Sequence, residues 1–192
     1  MLLDATALEE SEVVANGCMN RTRNLAGGNS HEKDLGFDAL DFLKKRLETQ
    51  HHAAWLDLCC GARRALIPAS VERWETTERF DLVTCVHGLH YIGDKLGLLQ
   101  RASGWLKDGG LLIAHLDYRN LRIKDRTNSA AQMGKDLRRA GFRYTSGRHL
   151  LTCGSQTARH LLPYRYLGAD DHAGPNYTGQ PAVDSYYERT RS

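Results

Sequence analysis

The run AAWLDLCCG, Ala53 to Gly61, constrains this chain more than any other stretch. An apolar strand, Trp55 to Leu58, carries a single acid, Asp57, and runs straight into a glycine turn. A buried parallel strand of an α/β sheet ends this way, with a sharp turn at its carboxyl end that leaves a crevice for a ligand. The next clear strand, FDLVTCV from Phe80 to Val86, starts after only the 21 residues Cys59 to Arg79. A strand–helix–strand unit takes about 30 residues, so this interval holds at most one crossover.

Downstream, the pattern alternates. Asp94 to Leu106 reads as a helix with Leu96, Leu98, Leu99, Ala102 and Leu106 available for burial. Lys107-Asp108-Gly109-Gly110 reads as a turn, and Leu111 to Leu116 as a buried strand ending at Asp117. A helix from about Ser129 to Ala140 stops at Gly141, a usual helix terminator. FRYTSGRHLLTCG and ARHLLPYRYLGA then read as an antiparallel strand pair. Upstream, Gly36 to Glu48 reads as a helix with Phe37, Leu40, Leu43 and Leu47 on one buried stripe. These elements predict an α/β fold with a mostly parallel sheet and an antiparallel edge. The expected organisation is an N-terminal arm over residues 1–35, a domain over 36–168, and an irregular tail over 169–192.

Composition narrows the classes. With 192 residues, 41% of them hydrophobic, the chain suffices for one domain with a sizeable core. Its 26 cations are scattered among 23 acids with no long basic block, so no nucleic-acid partner is expected. No run approaches the roughly 20 apolar residues of a membrane span, and the start lacks a cationic, apolar leader, so neither membrane nor export is expected. Cys18, Cys59, Cys60, Cys85 and Cys153 show no paired spacing, which fits reduced thiols in a cytoplasmic protein. His87 and His90 stand three apart without a third ligand in view, so no metal is expected.

With these motifs in order, the chain resembles a class I S-adenosylmethionine-dependent methyltransferase. LDLCCG (Leu56 to Gly61) resembles the first-strand glycine motif. ERFDLVTCVHGLHYIGD (Glu78 to Asp94) resembles the fourth-strand motif, with Asp81 as its acid. LKDGGLLIAHLD and LRRAGF resemble the fifth strand and the helix before a terminal hairpin. The resemblance implies a three-layer Rossmann-like methyltransferase fold with a shortened, mostly parallel sheet and a C-terminal antiparallel hairpin. It implies S-adenosylmethionine as cofactor, held by Asp57, Cys59, Gly61, Ser70, Val71, Cys85 and Val86. His87 is the implied base facing a small-molecule acceptor, and Asn20, Arg21, Asn29 and Tyr177 are the implied substrate-side residues. The chain departs from the pattern at Cys59 and Arg63, where glycines are usual, and no second strand with its ribose-binding acid is found. That gap reads as an internal deletion. It sustains a rival expectation: a catalytically inactive methyltransferase-like domain that pairs as a homodimer through an exposed sheet edge. A nicotinamide-type oxidoreductase is disfavoured because GARRAL lacks the GxGxxG spacing.

Overall fold

A computed structural model describes residues 2–14, 30–58, 70–124, 129–155 and 161–190. The N-terminal part includes α1 (Ala5–Glu9), α2 (His31–Leu35) and α3 (Ala39–Gln50) among the described residues. Ser30 caps α2 through its hydroxyl, and α2 stops at Gly36, whose φ of 70° is the left-handed geometry that glycine takes at no steric cost. Asp38 then caps α3. The two strand motifs of the sequence are β1 (Trp55–Asp57) and β2 (Phe80–Cys85). The leucine-rich helix is α4 (Lys95–Gly104), followed by β3 (Leu106–His115), β4 (Leu121–Ile123) and α5 (Ser129–Arg139). Four strands complete the chain: β5 (Phe142–Thr145), β6 (Leu150–Gly154), β7 (Tyr164–Asp170) and β8 (Asp184–Arg189).

The central sheet has the order β1-β2-β3-β6-β5. β1, β2 and β3 are parallel neighbours, with Leu56 opposite Val83 and Val83 opposite Leu112. β6 lies antiparallel between β3 and β5, so β5 runs in the direction of the first three strands. This is the mixed, mostly parallel α/β sheet expected. Alternation along the strands sends Val83, Cys85, Leu112 and Ala114 to one face, against Leu96, Leu99 and Ala102 of α4 and Met133 and Leu137 of α5. Ile113 and Leu150 go to the other face, against Leu35 and Phe37. Helices on both faces of one sheet make the three layers.

Several readings of the sequence need correction. The antiparallel hairpin forms within FRYTSGRHLLTCG alone, as β5 and β6. The segment ARHLLPYRYLGA instead contributes β7 to a second sheet of order β4-β8-β7. The tail read as irregular carries β8, whose Tyr187 is fully buried against the main core. Its polar Asp184 and Ser185 are buried because Asn120 and Arg122 bond the first and Lys95 the second. Lys107 to Gly110, read as a turn before the strand, loop out within β3, between the pairs Phe80–Leu106 and Leu82–Leu111. The stripe expected on the helix before β1 is also rotated. Leu40 and Leu47 are 40% and 49% exposed, while Ala39 and Arg46 face inward. The cause is Asp81, wholly buried, whose carboxylate binds Arg46 Nε at 3.0 Å, Lys107 Nζ at 2.9 Å and the Ala54 amide at 2.8 Å. A buried carboxylate must be paired, and supplying Arg46 turns α3 accordingly. Burial alone would raise the Asp81 carboxyl, but Lys107, the Ala54 amide and Arg46 together hold it below the ordinary value.

Candidate functional site

Asp57, the last residue of β1, lies opposite Thr84 of β2. The buried Thr84 hydroxyl donates to Asp57 Oδ1 at 2.6 Å and accepts the indole N–H of Trp55 at 2.9 Å. Asp57 Oδ2 meets Nε2 of His31, from α2, at 2.8 Å, and that ring stands edge-on to Trp55. Asp57 is thus fixed in orientation at the carboxyl end of the strand, where α/β sheets bind ligands.

Just beyond β2, buried Cys85 and Val86 lead to His87, whose φ of 58° is left-handed. That backbone costs a non-glycine residue on the order of 1 kcal/mol, and such strain collects at functional sites. It starts the short helical turn Gly88–Tyr91 and turns His87 onto His115, the last residue of β3. The two rings are parallel, 4.3 Å apart with a 6° interplanar angle. His90 also stacks on His87, with ring centroids 5.8 Å apart. It is 1% exposed and neither ring nitrogen has a partner among the described residues. Burial, reinforced by His87, Lys95 and His115, depresses its pKa to about 3, so His90 is neutral in the physiological range.

The C-terminal segment closes this cluster. Tyr177 places its hydroxyl 3.2 Å from His87 Nδ1 and donates its backbone N–H to Asp117 Oδ2 at 3.0 Å. Its ring lies flat on His149, 4.0 Å away. Asp117 is buried; desolvation opposes its charge, but the Arg119 guanidinium, with the Arg119 and Tyr177 amides, keeps its carboxyl below the usual range. Asp34, one turn after His31 on α2, sets a carboxylate oxygen 3.9 Å from His87 Nε2. One short helix therefore addresses both strand ends, His31 to Asp57 and Asp34 to His87.

Of the residues expected at the site, the fold gathers Asp57, Cys85, Val86, His87 and Tyr177 around the ends of β1, β2 and β3. Ser70 and Val71 are tied to two helices: the Ser70 hydroxyl bonds Glu9 of α1, and the Val71 carbonyl lies 3.5 Å from the Arg101 guanidinium of α4. Cys59, Gly61, Asn20, Arg21 and Asn29 fall outside the described residues. Sequence reasoning missed His31, Asp34, His115 and His149. His115 carried a usable signal, a histidine at the end of a parallel strand two residues before an acid; the other three owe their place to the fold alone.

The donor set fits the methionyl end of S-adenosylmethionine. Each oxygen of Asp57 keeps a second lone pair beyond its present partner, which suits an ammonium, and uncharged His90 leaves the neighbourhood of a sulfonium free of one potential cation. Elsewhere, Asp170, Asp171 and His172 bring ligand atoms within 4.8 Å of one another at the surface turn after β7.

Comparison with known proteins agrees with this geometry. A family model described as a methyltransferase domain matches residues 17–114, just over half of the chain. The match covers β1, β2 and all but the last residue of β3; β4 to β8 and Tyr177 lie beyond it. No curated protein and no solved structure matched the chain. A parallel strand trio whose carboxyl ends gather Asp57 and His87, on the stretch that the family model covers, makes this chain a member of the methyltransferase-domain family.

Proposed function

We propose that the chain transfers a methyl group from S-adenosylmethionine to a small-molecule acceptor in the cytoplasm. The observation that supports this reading best is the convergence of Asp57 and the His87–Tyr177 pair at the ends of adjacent parallel strands. The cofactor supplies, when bound, a methyl group on an electrophilic sulfonium. Asp57 would hold its ammonium, with Cys85 and Val86 as the wall behind it. Cys59, Gly61, Ser70 and Val71 carry the remaining contacts in this proposal, by resemblance alone.

With the cofactor bound, His87 would accept the proton of an acceptor hydroxyl, and Asp34, 3.9 Å from Nε2, would stabilise the resulting imidazolium. Tyr177 fixes His87 through Nδ1 and faces the acceptor, with Asn20, Arg21 and Asn29 assigned to the same side. Positioning of the two reactants then supplies most of the rate.

Calorimetric titration with S-adenosylmethionine and S-adenosylhomocysteine tests the reading, in the wild type and in Asp57→Asn. The variant retains an oxygen for Thr84 but loses the charge. Saturable micromolar binding that weakens about tenfold or more in the variant is expected, in line with a charged hydrogen bond of ~1.5–3 kcal/mol. No binding by the folded wild type, or equal binding by both, overturns it. One observation favours the rival reading of a non-catalytic, self-associating chain: among the described residues β1 pairs with β2 only and stands at the sheet edge. Sedimentation showing a dimer that binds no cofactor would select it.

A further inference from the structure

Residues 119–148 contain nine Lys and Arg against two acids, Asp125 and Asp136. Along the chain these cations are spaced by apolar and neutral residues, so no block stands out. Folding concentrates them by sorting charge by depth. Among the described residues from 117 to 149, Arg119, Arg122, Lys124, Lys135, Arg138, Arg139, Arg143 and Arg148 are all exposed, while both acids, Asp117 and Asp136, are buried. The elements that carry them are neighbours: α5 packs on β4, on β5 and on the turn Tyr118–Asn120. Lys135, Arg138 and Arg139 share the outer face of α5, opposite Met133 and Leu137. Arg143 lies on the edge strand β5, and Arg148 follows in the turn to β6.

Buried acids neutralise part of this charge: Asp117 holds Arg119, Asp184 holds Arg122, and Asp136 holds Arg139 at 3.9 Å. Lys135, Arg138, Arg143 and Arg148 have no ion pair among the described residues. The face is bordered by Glu188, beside Lys124, on one side. On the other side the Arg148 guanidinium lies against Gly36, at the end of acid-bearing α2. None of the exposed large apolar side chains lies in this stretch, so it offers nothing to insert into a lipid surface. A surface that bends from a helix face round a sheet edge suits a flexible chain of phosphates. A duplex, with a persistence length of roughly 50 nm, would have to be bent to follow the same surface, a cost that a single strand is spared.

We propose that the surface formed by the turn Tyr118–Asn120, β4, α5, β5 and the turn Ser146–Arg148 binds single-stranded nucleic acid through its phosphates. The binding is electrostatic and indifferent to sequence. It adjoins the strand-end cluster, because Tyr118 stacks on Tyr144 at 4.2 Å and Tyr144 bonds His149, which covers Tyr177. The inference is independent of methyl transfer, and its test reads binding alone.

The test uses fluorescence anisotropy of the full chain with a labelled oligouridylate of about twenty nucleotides. Four phosphate contacts predict a slope of log affinity on log salt near −2.8, hence about fifty-fold weaker binding at roughly 200 mM than at roughly 50 mM salt. Lys135→Glu, Arg138→Glu and Arg143→Glu should each weaken binding and flatten the slope by about 0.7. Lys44→Glu makes the same charge change on the exposed side of α3 and should do neither. The proposal is overturned by absence of saturable binding at the lower salt, or by equal weakening in Lys44→Glu, which marks a response to net charge only. It is also overturned by a duplex binding as tightly, or by inorganic triphosphate competing as well at equal phosphate.

Discussion

Lys95 is 1% exposed, at the first turn of α4, and its ammonium meets three oxygens: the carbonyls of Ile92 and Val183, each at 2.7 Å, and the Ser185 hydroxyl at 2.8 Å. Burial depresses its pKa from 10.5 to about 7, with Asp184, Glu72 and Asp94 offsetting only part of the desolvation. The site accepts either form. A neutral amine donates to the two carbonyls and accepts from Ser185, whose hydroxyl can turn. The linkage has a definite sign. A lysine depressed on folding binds fewer protons folded than unfolded, so stability rises with pH between the two pKa values. The cost of the buried charge is fully present below about pH 7 and is gone above about pH 10.5. Integrated from pH 7 to pH 9, the gain is about 2 kcal/mol. Urea unfolding at both pH values, in the wild type and in Lys95→Met, isolates it, because other titrations cancel between the two proteins. The stability gap should shift by about 2 kcal/mol in favour of the wild type at pH 9. A carbon-13 NMR titration of Lys95 Cε, with its midpoint near 7, gives the same answer without the variant. Parallel pH dependences with a midpoint near 10 would refute the reasoning.

Asp81→Asn removes the charge that compensates Arg46 and Lys107 and should cost about 3 kcal/mol, read by urea unfolding at neutral pH. Since the folded Asp81 pKa lies below 3.8, its contribution is present above that value and is lost as pH falls through the folded pKa, so the variant should narrow its deficit in acid. His51, exposed at the end of α3 with a φ of 59°, holds a left-handed position suited to glycine. His51→Gly should stabilise by up to ~1 kcal/mol, seen as a melting temperature raised by a few degrees; a fall would mean the imidazole has a role there.

The parts of this fold legible in the sequence were those whose burial is apolar. β2, β3 and α4 announce themselves because Leu82, Val83, Leu112, Leu98 and Leu99 are buried for their own hydrophobicity. β8 did not, because DSYYER is buried by partners far off in sequence: Asp184 by Asn120 and Arg122, Ser185 by Lys95, the Tyr187 hydroxyl by the Leu96 amide. Hydropathy cannot see a polar residue whose desolvation is met by a group some 60 to 90 positions away. The misplaced stripe of α3 has the same origin, since one ion pair from Arg46 to Asp81 outweighed two leucines. At the site, Asp57 and His87 were legible because strand ends in such a sheet converge. His31 and His149 were not, because their places depend on how helix and hairpin pack.

Charge is distributed unequally between the two ends of the sheet, and this explains how one chain serves stability and chemistry together. At the amino ends of the strands Asp81 is saturated by two cations and an amide, which fixes β1 to β2 and leaves nothing free for a ligand. At the carboxyl ends the same strands lead into Asp57 and His87, both partly exposed, and the buried His115, backed by a neutral buried imidazole. The family match ends inside β3, one residue before His115. The chain beyond it adds α5 and the β5–β6 hairpin to the central sheet and builds the second sheet, whose segment carries Tyr177 onto His87 and is anchored through Lys95 and the Val183–His90 backbone bond. The anchoring groups Lys95 and His90 are also the two whose charge burial most suppresses near neutrality. Lys95 Nζ bonds the Val183 carbonyl and the Ser185 hydroxyl, so a change in its protonation acts on the second sheet as well as on α4. His90 holds the same segment through its backbone carbonyl, a bond that leaves its imidazole out of the anchoring.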